Sequence, residues 1–538
     1  MNYIQGIERN QSFLFPSTID ELIPEDNPVR VIDVFVNTID IQELSFAKSR
    51  LANTGRSPYH PKDLLKLYLY GYFNKIRSSR DLAKECKRNI EAIWLLKSVK
   101  PRYKSIADFR KDHPVQLRKI FRQFVGLCQT WGLYGKELIA VDSSGFRAVN
   151  SKKNNYNQKK IDRQLAYIEE KMEKYLKELD RNDSQEKDEV KISKEEIKRR
   201  IETLKTRKAK YKKIEQQLKE SDSEQISTTD RDSRLLVKNG QPAEVAYNTQ
   251  ISVDHKNKLI VDYKTTNQND RKQLHDMATR TKEEFKVDSL NALADKGYHN
   301  AEELHKCQQD NITTYVGVPQ YGNTTSIPAS GYHAEDFTYD RQADCYICPQ
   351  EVKLLTNGKF YKKPCRNGNF TLVKQYHTIR CKGCSVKHLC TIASKGRVIE
   401  RSQYQDAVDA NTHRIKTQKE KYLQRQMIVE HPFGTIKRTW GYNYVLVKSL
   451  DKVDGEFGLI LLCYNLKRVI NMIGTTKLIA RIIAFHCLLF QIWASIRGHS
   501  VRKIIDNNRK LSLTFPRKSI CESFVPGSSS VSLSFCTV

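Results

Sequence analysis

The stretch KELIAVDSSGFRAVNS, residues 136–151, opens with a short apolar run from Leu138 to Val141 and then meets an acid at Asp142. A β-branched run of that length predicts a buried strand, with Asp142 delivered to its exposed end. One aspartate after one strand is ordinarily a turn or cap residue. Its chemistry depends on what else the chain brings beside it.

Downstream, EVAYNTQISVDHKNKLIVDYKTT (residues 244–266) alternates in two runs around the turn DHKNK and predicts a β-hairpin. RKQLHDMATRTKEEF (271–285) has helical spacing. SLNALADKGYHN (289–300) is a second apolar strand ending in an acid, Asp295. AEELHKCQQD and ITTYVGVP add a helix and a strand. Strand, hairpin, helix, strand, helix, strand is the order of a mixed α/β sheet, and two of its strands end in aspartate.

Between these parts, residues 157–225 step by threes and fours through Ile161, Leu165, Ile168 and Met172, and again through Ile197, Ile201 and Leu204. Dense in Lys and Glu and split by the polar break RNDSQEKDEVKIS, they predict a helical hairpin or coiled coil, with DNA contact or dimerisation along it as an added expectation. Upstream, KDLLKLYLYGYFNKI after Pro61, DLAKECKRNIEAIWLL and a helix starting at Ser105, with Asp108 completing a variant capping box, predict a compact basic helical domain. Helix-turn-helix DNA binders look like this, as do helices that merely pack.

The chain has 538 residues and a formal net charge of +30, a field that favours polyanions, nucleic acid first. No run of eighteen uncharged apolar residues is present. Leu478 to Ala494 is interrupted by Arg481 and His486 and predicts a buried helix rather than a membrane span. The N-terminus lacks the pattern of a secretory signal, so the expected location is the cytoplasm. In a reducing compartment thirteen cysteines serve as buried thiols or metal ligands. Cys345 and Cys348, then Cys381 and Cys384, form two CxxC pairs of zinc-ribbon type, with Cys365 between them and Cys390 or His388 as alternative ligands.

KYLQRQMIVEHPFGTIKR (421–438) sets one acid, Glu430, among the cations Arg425, Lys437 and Arg438. In a continuous helix Glu430 and Lys437, seven residues apart, share a face. Pro432 and Gly434 oppose that continuity and predict a start or kink just after Glu430. A long apolar helix follows through residues 455–473, and past Lys510 the Ser-rich tail is expected to be poorly ordered.

Asp142, Asp295 and Glu430 make chemical sense together if they hold divalent cations against DNA phosphate. The blocks VDSSGFRAVNS, TTDRDSR, YNTQISVD, ALADKGY and VEHPFGTIKR resemble those of DDE transposases from bacterial insertion sequences, which have a ribonuclease-H-like core. RSPYHPKDLLKLYLYGYFNKIRSSRDLAKECKRNIEAIWLL resembles that group's N-terminal helical domain, and the likeness spans Gln11 to Gly474. It implies that Asp142, Asp295 and Glu430 are a catalytic triad holding Mg²⁺ or Mn²⁺, as two ions. Tyr422, Arg425, Glu430 and Lys437 match the family's Tyr, Arg, Glu, Lys pattern, with four residues rather than three between Arg425 and Glu430. Lys437 and Arg438 are implied to hold phosphates, and Asp232 and Arg234 to support the site or touch DNA.

The implied division is 1–130 for the helical DNA-binding domain, 131–156 with 226–320 for the first parts of the catalytic core, and 157–225 for the hairpin. A Cys-rich zinc-ribbon-like insertion spans 321–397, core helices 398–475, and a C-terminal helix and tail 476–538. The implied partners are the double-stranded DNA of transposon ends and target, and further copies of the chain as a homodimer or higher oligomer. Rival readings are a nuclease on the same core and an idle DNA-binding regulator derived from a transposase.

Overall fold

The computed structural model describes residues 18–49, 57–184, 193–221, 223–236, 243–319, 328–329, 331–364 and 370–496. The Ser-rich tail, the middle of the hairpin's polar break and Cys365 lie outside them.

Six helices come first: α1 (Pro28–Thr38), α2 (Pro61–Phe73), α3 (Ser79–Arg88), α4 (Ile90–Leu95), α5 (Tyr103–Asp112) and α6 (Pro114–Thr130). Pro61 begins α2, and the His60 ring accepts from the Lys62 N–H at 3.2 Å. The single helix expected over DLAKECKRNIEAIWLL breaks at Asn89. That residue is extended, closes α3 by donating to Glu85 O, and caps α4 by accepting from Glu91 N at 2.9 Å and Ala92 N. The capping box expected at Ser105 is absent, because α5 starts two residues earlier, at Tyr103, after the extended Arg102.

The next elements are β1 (Leu138–Arg147), β2 (Asn155–Asn157), α7 (Gln158–Ser184), α8 (Lys194–Glu220), β3 (Gln225–Ser227), β4 (Arg234–Leu236), β5 (Glu244–Asp254), β6 (Ile260–Thr266), α9 (Leu274–Phe285), β7 (Leu290–Ala294), α10 (Ala301–Gln309) and β8 (Ile312–Val316). The main sheet runs β6-β5-β1-β7-β8, with β4 also alongside β5. β1 is antiparallel to β5 from Ile139↔Asp254 to Arg147↔Ala246 and parallel to β7 from Leu138↔Asn291 to Val141↔Ala294. Asp142 therefore does not end its strand. It sits mid-strand, where the parallel partner stops while the antiparallel one continues.

α7 and α8 form the hairpin, with a small core of Tyr156, Ile161, Ile214 and Leu218 above the short β2–β3 pair. The Cys-rich stretch holds β9 (Thr338–Asp340), β10 (Cys345–Ile347), β11 (Lys353–Leu354), β12 (Phe360–Pro364), β13 (Phe370–Tyr376), α11 (Lys387–Cys390) and β14 (Ile399–Ser402). Its two three-stranded sheets enclose Phe337, Tyr346, Leu354, Tyr376 and Ile399.

α12 (Gln405–Thr417), α13 (Lys419–Phe433), α14 (Leu450–Ile473) and α15 (Thr475–Ile496) complete the described chain. α13 does not start after Glu430. It carries the buried Pro432 inside it and passes at Gly434 into a π-helical turn, Gly434–Thr439. Proline removes only its own N–H bond, and a wider turn directly after it accommodates the ring.

α14 is buried on nearly every side and ties the N-terminal helices to the sheet in one hydrophobic core. Gly455 permits the contact: a Cβ there would stand 2.4 Å from Pro114 Cα at the start of α6. The neighbouring Glu456 is 0% exposed. Its carboxylate accepts from Tyr72 Oη and Leu446 N, each at 2.8 Å, with Arg77 and Arg110 both 3.8 Å away. The start of α14 is held from TTDRDSR, where Asp230 accepts from Ser449 N at 3.1 Å and Asp232 from Leu450 N at 2.9 Å. Asp232 thus satisfies a helix N-terminus.

The buried helix expected over Leu478–Ala494 is corrected. α15 buries Leu478 and Ile482 but exposes Ile483 and Leu488, because it lies across α1 by one narrow side. Among the described residues no single helix is long and apolar enough to cross a membrane.

Candidate active site

The parallel edge between β1 and β7 ends at Val141↔Ala294, and the next residue on each strand is an aspartate. Asp142 Oδ1 accepts from its neighbour Ser143 N at 2.8 Å. Asp295 opens a single 3₁₀ turn, Lys296–Tyr298, and its Oδ1 accepts from Gly297 N at 2.8 Å. Both side chains are thus oriented by backbone amides, with one oxygen of each left for other partners.

From the other side, α13 lays Arg425 against Asp142, with Nη1 to Oδ2 at 3.9 Å and the two side chains 22% and 25% exposed. Tyr422, one turn earlier, covers Gly317 at the end of β8. A Cβ there would meet the Tyr422 hydroxyl at 2.5 Å and Lys296 N at 3.1 Å, so only glycine lets the phenol settle beside the Asp295 turn.

A third carboxylate at this edge went unread in the sequence. Asp270 begins a 3₁₀ turn (Asp270–Lys272) between β6 and α9, and its Oδ1 accepts from Asn248 Nδ2 at 2.6 Å and Gln250 Nε2 at 2.7 Å. The available signal was an acid shortly after a strand, as at Asp295. Burial pushes the Asp142 carboxyl up to about 6; the charges of Asp295 and Asp270 add to the rise, while the Ser143 N–H and Arg425 oppose it. A hard divalent cation would relieve such a concentration of like charge.

Glu430 is exposed on α13, its Oε1 accepting from Gln426 Nε2 at 2.8 Å. Among the described residues no three His, Cys, Asp or Glu side chains stand close enough to share a metal ion. Lys437 is docked onto β1: Nζ donates to Gly145 O at 2.6 Å and lies 4.5 Å from the Phe146 ring centroid. Arg438 is exposed. Arg234 turns back on its own loop, donating to Arg231 O at 2.5 Å and Ser223 Oγ at 3.3 Å. Tyr298 is fully buried and donates to Gln250 Oε1, and burial holds its phenol well above the ordinary value. A proton held that firmly makes Tyr298 a poor nucleophile.

In the Cys-rich unit, Cys345 is 0% exposed inside strand β10, whereas Cys348, Cys381, Cys384 and Cys390 are half-buried. Burial raises the Cys390 thiol above its ordinary range; Cys381, Cys348 and Cys384 are near enough to add to the rise, and Arg397 opposes it. Gly396, at φ +99°, abuts Cys381, where a Cβ would stand 2.5 Å from Cys381 Cβ.

Residues 17–112 match the family described as "Transposase domain (DUF772)", and residues 347–470 match the "Transposase DDE domain". No curated protein matches the chain. Among solved structures, the cryo-EM structure of the piggyBac transposase synaptic complex with hairpin DNA aligns at 10% identity. That alignment covers 94% of this chain and 87% of that one, with a TM-score of 0.31.

Proposed function

The chain is a DDE transposase, and from that premise we propose that Asp142, Asp295 and Glu430 are the acidic triad with which it cuts and joins DNA at the ends of an insertion sequence. The observation that carries the reading is the placing of Asp142 and Asp295 at adjacent positions past the last parallel pair, with Arg425 beside them. The core is read as ribonuclease-H-like, supported by a sheet in which the second long strand, β5, is antiparallel to β1, while β7 and β8, which follow the β5–β6 hairpin, run parallel to β1.

Divalent ions, Mg²⁺ or Mn²⁺ and two in number, would be held by these carboxylates and would supply activation of the attacking oxygen and stabilisation of the leaving one. The residues around them orient and neutralise. The Ser143 and Gly297 amides fix one oxygen of each aspartate. Arg425 limits the charge at Asp142, and Tyr422 packs the Asp295 turn against α13. Arg438, with Lys437 docked behind it, holds phosphates of the DNA backbone, and Arg234 does so at the sheet's outer edge.

In the first reaction water attacks a phosphodiester at the element's end, breaking the bond to the 3′ oxygen and leaving a 3′-hydroxyl. In the second that hydroxyl attacks a target phosphodiester and displaces another 3′ oxygen. Both are in-line displacements, so one site serves both.

The reading extends to double-stranded DNA as the partner, a dimer or higher oligomer on that DNA, and a cytoplasmic location. It also extends to a structural zinc in the Cys-rich unit held by Cys348, Cys381, Cys384 and Cys390, with Cys390 replacing Cys345. What favours Cys390 over Cys345 is that the charges of Cys381, Cys348 and Cys384 reach its thiol, while Cys345 is sealed in a strand; the side chains would have to turn toward one another to bind the ion. The decisive experiment is a cleavage and strand-transfer assay with purified protein and the DNA flanking its gene. Binding to those ends without cutting in Mg²⁺ or Mn²⁺ would refute the enzymatic proposal.

A further inference from the structure

We propose that an exposed ridge of cations on α8, made by Arg207, Lys210 and Lys213, binds the phosphate backbone of double-stranded DNA. The proposal rests on the reading of the chain as an enzyme that acts on DNA.

Between Glu202 and Glu215 the helix carries six cations and no acid: Lys205, Arg207, Lys208, Lys210, Lys212 and Lys213. Several cations elsewhere in the hairpin are paired. Lys174 meets Glu170 at 2.5 Å and Lys177 meets Glu173 at 2.7 Å on α7, while on α8 Arg199 and Arg200 share Glu196 and Lys219 meets Glu215 at 2.8 Å. Two cations of the run are also paired, Lys205 with Glu202 at 3.7 Å and Lys208 with Glu169 of α7 at 2.9 Å. Among the described residues no carboxylate pairs with Arg207, Lys210 or Lys213, and all three are exposed.

Steps of three set these residues along one ridge of the helix, apart from the buried Ile197, Ile201, Leu204, Ile214 and Leu218. Thr206 and Ala209 flank the ridge with short side chains, and Thr206 Oγ1 turns back to Glu202 O at 3.0 Å, so nothing bulky holds a DNA backbone away. Both legs of the hairpin leave the main sheet at one level, since Arg147 at the end of β1 and Arg234 at the start of β4 are both register partners of Ala246. β1 reaches that level five residues past Asp142, so the hairpin stands on the side toward which the strand runs from the reacting edge. Lys210 is ten residues, about 15 Å of helix, from the root at Glu220.

Like charges one turn apart weaken a helix, and a polyanion laid across them removes the repulsion. Chemistry selects the backbone of a duplex. Single-stranded nucleic acid asks for exposed aromatic rings on which bases stack, and the aromatic of this stretch, Tyr211, is half-buried against Tyr156 with ring centroids 5.9 Å apart. A lipid surface asks for large apolar side chains beside the cations, and none in residues 203–213 is exposed. Lysine and arginine on a helix, without such neighbours, meet phosphates without reading bases.

Duplex binding by the full-length protein, followed against salt concentration, tests this. Arg207→Gln, Lys210→Gln and Lys213→Gln together keep good helix formers and should lower the slope of log affinity against log salt by about 2–3, at roughly 0.9 per phosphate contact, and weaken binding at about 0.1 M salt by about 10²-fold. The loss should be equal on the DNA flanking the gene and on a duplex of unrelated sequence, because a phosphate contact carries no sequence. Lys174→Gln, Lys177→Gln and Lys219→Gln together change the net charge by the same amount from paired positions and should leave the slope near wild type. Equal slopes in the two variants overturn the proposal, as does a loss confined to the flanking duplex. A wild-type chain that binds neither duplex overturns the DNA reading with it. Should the first variant fold poorly, acetylation of the wild type read by mass spectrometry decides: duplex should protect Lys210 and Lys213, and equal modification with and without duplex refutes the ridge.

Discussion

Asp142 and Asp295 come from strands separated by more than a hundred residues of chain, yet each is the first residue beyond the same parallel pair, Val141↔Ala294. Their side chains are aimed by amides one and two residues ahead, from Ser143 and Gly297. Replacing either aspartate by asparagine keeps shape and most hydrogen bonding but removes charge. Cleavage of end DNA should fall by at least about 10³-fold in each variant, while affinity for that DNA changes little. A gel assay that separates binding from cutting checks this, and residual cutting near wild type in either variant would disprove the pair's role.

The raised carboxyl of Asp142 has a consequence for stability. Its folded value of about 6 lies above the unfolded value near 3.8, so the folded state prefers it protonated. Without metal, the contribution of Asp142 to stability is largest below about pH 4, falls as pH rises through 6, and is flat above that. The loss is of order 2–3 kcal/mol at most, reduced by the residual exposure of the side chain. Asp142→Asn should therefore melt higher than wild type at pH 7 in EDTA, with the difference closing toward pH 4. A wild-type melting temperature matching the variant's at both pH values would contradict the assigned environment.

Glu456 holds the N-terminal helices to α14 through Tyr72, Arg77 and Arg110. Glu456→Gln leaves two buried guanidinium groups facing each other without a counter-charge. Loss of one partner from such a group destabilises by about 3–5 kcal/mol. Denaturant unfolding of the purified chain should show it, and a change below about 1 kcal/mol would mean that the cluster is hydrated and weakly coupled.

The elements legible in the sequence are those whose pattern is local. Alternation in 244–266 located β5 and β6, and the threes and fours of Ile161 to Met172 located α7. Asp295 followed its strand as expected. What escaped depends on partners distant in the chain. Asp270 acquires meaning only from Asn248 and Gln250 across a hairpin, so its spacing carries no signal. The apolar text of α15 reads as buried, but burial needs a covering surface, and α1 covers one side only. Pro432 reads as a break, yet a π-helical turn beginning two residues later lets the chain run on. The same turn shifts Lys437 out of simple seven-residue register with Glu430, onto Gly145 and Phe146.

The cysteines separate into two kinds, and metal content can tell them apart. Cys345 faces the interior of a small β-sheet, where a thiol behaves as an apolar side chain. Burial raises the Cys390 thiol, the charges of Cys381, Cys348 and Cys384 add to the rise, and Zn²⁺ would cancel such charge if these side chains turned to share it. Protein purified without chelator should hold about one zinc per chain. Cys390→Ser should release it and lower the melting temperature of the Cys-rich unit, whereas Cys345→Ala should keep the zinc and lose only packing, about 1 kcal/mol for a small buried group. Retained zinc in Cys390→Ser with loss in Cys345→Ala would restore the two CxxC pairs as the ligand set, since Cys345 would then have to turn out of its strand to reach the metal.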